Sequence, residues 1–96
     1  MLTLFDPSSV KLRATNTSNI PRLVHVEAHL SGVPSKFIAE RLQRYLADQE
    51  LTSSVGLKWD GDNQTAIFRT FVAKFLPVDA VGYISGLLGP QAQAFA

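Results

Sequence analysis

Cysteine is absent from this 96-residue chain, which excludes a disulfide framework, a thiolate metal site and a cysteine nucleophile. Charge is scarce as well. Asp, Glu, Lys and Arg make up 18% of the residues, below the roughly 25% of typical soluble domains, whereas hydrophobic residues make up 46%. Such a chain is not disordered, and it has little polar surface to spare. The two signs nearly cancel, 9 basic residues against 8 acidic for a net charge of +1, so the strong basic surplus of a dedicated DNA binder is missing. Long apolar runs are missing too. Val78 to Leu88, nearly uncharged, falls well short of the roughly 20 residues a membrane-spanning helix needs. The opening MLTLFDPSSVKLR has no basic stretch followed by a sustained apolar one, so no secretory signal is read and a cytoplasmic location is expected. No glycine-rich phosphate loop occurs, and no serine stands in a nucleophile-elbow setting; a non-catalytic protein without cofactors is expected.

What is present is an alternation of strand and helix signals over a length suited to one domain, 1–96, with 90–96 read as a loosely ordered tail. Leu2 to Phe5 alternates apolar and polar up to the turn formers Asp6-Pro7-Ser8-Ser9, which predicts a short edge strand. Val10 to Ala14 alternates again. Thr15 to Pro21 is a loop. Arg22 to Leu30 is the clearest strand, with Val24, Val26, Ala28 and Leu30 on one face and His25, Glu27 and His29 on the other. From Lys36 to about Glu50 the period changes to that of a helix, whose apolar stripe is read as Phe37, Ile38, Leu42, Tyr45 and Leu46. Val55, Leu57 and Trp59 then alternate with Ser54, Gly56 and Lys58. The turn residues Asp60 to Gln64 lead into a strand from Thr65 to Phe75 with bulk on both faces. Pro77 opens a last helix and Gly89-Pro90 closes it.

The order β-β-β-α-β-β-α predicts an α+β two-layer sandwich, a mainly antiparallel sheet with both helices on one face. Within it the closing third is the most informative stretch. From Leu76 to the end there is one charged residue, Asp79, and the last helix has apolar side chains around most of its circumference. Gly82 and Gly86, four apart, each cost a helix roughly 1 kcal/mol relative to alanine, which implies a packing reason. The expected function is therefore protein binding or self-association as an accessory subunit. Its apolar contact is predicted on the outer face of the last strand and on the helix after it, at Phe68, Val72, Tyr83, Ile84, Leu87 and Leu88.

Two other readings carry less weight. Lys11, Arg13, Arg22, Lys36, Arg41 and Arg44 sit in the first half, and Phe68, Phe71 or Tyr45 could stack on bases, which would serve single-stranded nucleic acid. The row His25, Glu27, His29 has metal-ligand chemistry, but alternate residues on a strand lie about 6.6 to 7 Å apart, so three of them spread too far for one ion. A solvated strand face is the better account of that row, or a pH-responsive patch, since histidine side chains titrate near neutrality. Asp60, Asp62 and Asn63 resemble a calcium loop only in part, because Phe71 stands where the twelfth-position glutamate should be.

Overall fold

The valine-rich alternation VHVEAHL sets the architecture. In the computed structural model, which describes residues 4–17, 22–74 and 76–93, it forms β2, Val24–Leu30, with Val24, Val26, Ala28 and Leu30 buried and the two histidines and Glu27 half-buried on the opposite face. Around it stand β1 (Lys11–Asn16), α1 (Lys36–Ala47), β3 (Thr52–Asp60), β4 (Thr65–Val72) and α2 (Pro77–Leu88). The strands make one antiparallel sheet in the order β1-β2-β4-β3. Both helices lie on the same side of it, α2 over β1 and β2 and α1 against β3. Their buried side chains join those of the sheet in one apolar core, and among the described residues the opposite face of the sheet carries no helix.

β4 is apolar on both sides, so its own pattern does not choose which side goes inward. Pairing with β2 does. Val24 faces Val72, Ala28 faces Phe68 and Leu30 faces Ala66, which turns Ala66, Phe68, Thr70 and Val72 into the core and leaves Ile67, Arg69 and Phe71 on the open face. Burying a side chain such as Phe68 stabilises by about 1.5 to 3 kcal/mol. The same pairing corrects the expectation that Phe68 and Val72 lie outward.

β3 contains a one-residue bulge between Ser53 and Gly56, with Ser54 in the left-handed region at φ 54°. A bulge leaves ladder carbonyls unpaired, and here side chains take them. Thr70, the buried polar residue, donates its hydroxyl to the Ser53 carbonyl at 2.8 Å, and Gln43 of α1 donates to the Val55 carbonyl at 2.8 Å. Below the bulge, the Thr52 hydroxyl donates to the Leu46 carbonyl at the end of α1. That helix begins at Ser35, whose hydroxyl accepts from the Ile38 N–H at 3.3 Å, and it buries Ile38, Ala39, Leu42 and Leu46. Phe37, expected in its apolar stripe, is 62% exposed. It sits one position before the buried row, and one helical step of about 100° carries it to the solvent side.

The ends of the chain also depart from expectation. The described part of the predicted edge strand, Leu4 and Phe5, is not a strand; both residues are buried in the core, and Leu2 and Thr3 lie outside the described residues. The Leu4 N–H donates to the Ala92 carbonyl at 2.7 Å and the Asp6 N–H to the Ser31 carbonyl at 2.8 Å, so this segment seals the core rather than extending the sheet. Asp6 accepts from the N–H of Ser8 and starts a 3-10 turn over Pro7–Ser9. Gly32, at φ 73°, passes so close that a Cβ there would stand 3.2 Å from the Asp6 nitrogen, which only glycine allows without strain. Of the expected tail, Gly89–Gln93 form a 3-10 turn with Ala92 buried, and residues 94–96 lie outside the described residues. Among the described residues, no helix is long and apolar enough to cross a membrane.

Candidate functional site

α2 is built so that every fourth residue meets the core. Ala80, Ile84 and Leu88 are buried, and Val81, Tyr83 and Leu87 are half-buried beside them. Of the six residues expected at an outer contact surface, four (Phe68, Val72, Ile84 and Leu88) therefore belong to the core of the folded chain. The physical reason is that α2 lies over β1 and β2 with its Ala80, Ile84 and Leu88 row turned to the sheet, while the pairing of β4 with β2 turns Phe68 and Val72 to the same side. Tyr83 and Leu87 stay partly accessible. The Tyr83 hydroxyl accepts from the Leu51 N–H at 3.4 Å, and the Lys74 ammonium lies 5.9 Å from the centre of its ring, so Tyr83 is anchored within the chain.

The side of α2 that does face water is unusual in its own way. Val78, Gly82, Ser85 and Gly86 follow one another along it, with Asp79 at the margin as its charged residue. Val78 is 71% exposed, and Leu76, just before the helix, 55%. A Cβ placed at Gly82 or at Gly86 would meet nothing within 4 Å. The packing reason that the two glycines imply is thus not found among the described residues.

The open face of the sheet is laid out in three cross-strand rows. Lys11, His29, Ile67 and Lys58 stand side by side in the first, and Arg13, Glu27, Arg69 and Gly56 in the second. Thr15, His25, Phe71 and Ser53 make the third. Neighbours in such rows have Cβ atoms about 4.5 to 5.5 Å apart. In the middle row Glu27 collects the surrounding positive groups. His29 Nε2 donates to it at 2.6 Å, and Arg69 Nε lies 3.2 Å from its other oxygen. The hydrogen bond from His29, helped by the charges of Arg69 and Arg13 and opposed by partial burial, holds the Glu27 carboxyl below the usual glutamate range. In the third row His25 meets Phe71 edge to face, with ring centres 5.3 Å apart.

The structure thus divides the sequence-derived metal row: His29 and Glu27 bond to each other, an arginine shares the carboxylate, and His25 turns to a phenylalanine. Among the described residues, no group of three His, Asp or Glu side chains is arranged to hold a metal ion. Asp60 accepts from the side chain of Asn63 at 2.8 Å and from two backbone N–H groups of the turn, so its chemistry is that of a hairpin. These bonds, the Asn63 side chain foremost, lower its carboxyl. Of the cations considered for nucleic acid, Arg41 and Arg44 lie on α1, on the far side of the sheet from the open face, and Phe68 is buried. Lys58 and Arg69 belong to the cationic set on that face, and sequence reasoning missed them because only strand pairing puts them in the same cross-strand rows as Lys11 and Arg13. No protein-family model, curated protein or solved structure matches this chain.

Proposed function

We propose that the chain is a non-catalytic association module whose contact surface is the outer side of α2, from Leu76 through Gly86, and that the partner is a second copy of the chain or a protein it serves as an accessory subunit. The observation that carries this reading is the pair of exposed glycines. Each costs the helix about 1 kcal/mol relative to alanine, and nothing among the described residues needs the space they leave. A partner backbone approaching to within touching distance does need it. Leu76 and Val78 supply the apolar area, and half-buried Val81, Tyr83 and Leu87 form the margin. This replaces the originally expected contact set, most of which the core has taken.

A helix of 12 residues is about 18 Å long and offers less than the roughly 800 Å² per partner of a standard interface, so self-association through α2 alone is expected in the micromolar range. The test uses exposed positions, since a charge placed at buried Ile84 would simply unfold the chain. Light scattering and sedimentation from about 1 µM to about 1 mM should show reversible dimers of the parent chain, reduced at least about tenfold in affinity by Val78→Asp or Gly86→Lys with unchanged circular dichroism. A parent chain that stays monomeric over that range removes the self-association form. Co-purified partners retained equally by both variants remove the surface altogether.

A further inference from the structure

The helix-free side of the sheet points to a second site. We propose that it binds single-stranded nucleic acid, with phosphates held by Lys11, Arg13, Lys58 and Arg69 and bases stacking at Phe71. The inference does not rest on the α2 surface, which faces the other way.

Charge complementarity decides the class of ligand. The three rows present four cations, and the carboxylate among them, Glu27, is already engaged by His29 and Arg69. The chain as a whole is nearly neutral at +1, so the surplus is concentrated on this face. Arg69 keeps 63% of its side chain exposed while bonded to Glu27. Lys11 and Lys58 occupy the two outer strands of one row, about 14 Å apart across three strand spacings, and the arginines occupy the next row. The face therefore offers a broad anionic track rather than a point site.

The aromatic half of the argument comes from the third row. Phe71 is half-buried beside His25 on the open side of β4, one same-face step of about 7 Å from Arg69. That step is comparable to the distance between a nucleotide's base and its phosphate. Gly56 leaves no side chain next to Arg69, and a shallow depression of 220 Å³ opens there beside Ile67 and Lys58. A larger one of 330 Å³ lies between Lys11, Arg13, Glu27 and His29. Flat aromatic and apolar surface flanked by arginine and lysine is the arrangement that binds single strands with little sequence preference, because every base has a stacking face. An acidic protein segment would use the cations but brings no row of flat bases to stack at Phe71.

Fluorescence anisotropy with a labelled oligothymidylate of about 15 nucleotides tests this on the full chain. The expected result is binding whose logarithmic affinity falls with the logarithm of salt concentration, by about 0.7 per phosphate engaged. Lys11→Ala with Lys58→Ala should weaken it and make the slope shallower by about 1.4. Phe71→Leu should weaken it about fivefold or more at unchanged slope. Glu27→Gln should tighten it. Circular dichroism confirms that each variant is folded. The proposal is overturned by no binding at about 50 mM salt, by a slope that the lysine pair does not change, or by a polyglutamate competitor that displaces the oligonucleotide while Phe71→Leu binds normally. The last result would make the face a receptor for acidic protein.

Discussion

Glu27 shows how one side chain can couple the fold to pH. Its carboxyl is lowered in the folded chain, first by the hydrogen bond from His29 and then by the neighbouring arginines. A folded value below the unfolded one means that the ionised form favours the fold. The stabilisation is complete above the unfolded glutamate value, near 4.3, and fades as pH falls through the folded value. Thermal melts should therefore be insensitive to this group from neutrality to about pH 5 and lose its contribution below that, a loss that Glu27→Gln abolishes by removing the contribution at every pH. Asp60, lowered mainly by Asn63, adds a second acid-sensitive increment in the same direction at the hairpin. Melting curves of Glu27→Gln and the parent that converge as pH falls through the folded value would bear this out, and curves that stay parallel would refute it.

At the scale of the element, α2 carries the sharpest trade. Gly82→Ala adds a methyl where nothing stands within 4 Å, so it should raise stability by up to about 1 kcal/mol, read as a higher denaturant midpoint. If the outer side of α2 is a contact surface, the same change weakens association. Stability and assembly would then move in opposite directions in a single variant, which an idle helix face would not produce. The elements themselves were largely legible. β2 is legible from its alternation alone, and α1 from its 3.6-residue period. β4 was legible as a strand but not in orientation, because Phe68 and Phe71 are equally greasy and only the Ala28 to Phe68 pairing separates them. The bulge at Ser54 left no mark in the local pattern: Val55, Leu57 and Trp59 alternate without interruption, and the extra residue enters before them. Leu4 and Phe5 looked like a strand because burial by a plug and burial by a sheet demand the same residue types.

For the whole molecule, the two candidate surfaces lie on opposite sides of one sandwich, the nearly uncharged outer side of α2 and the cationic side of the sheet. The shortage of charge that dominates the sequence is thus unevenly distributed, and its lean part was legible as a stretch while its rich part required strand pairing to assemble. Pairing through α2, if it occurs, would leave the two sheet faces pointing outward on opposite sides of the dimer. The position of β4 has a further consequence, for the order in which the molecule comes into being. It is the last strand to leave the ribosome and yet it fills the gap between β2 and β3, so a nascent chain ending at Gln64 holds a β1-β2 ribbon and a β3 segment that cannot touch as sheet neighbours. Closure must wait for the final third, and the Val24 to Val72 pairing spans half the polypeptide, which makes folding slow for so small a molecule. Trp59, beside the β3-β4 turn, should report the local hairpin in a fast kinetic phase and the zipping of that hairpin onto β2 in a slower one.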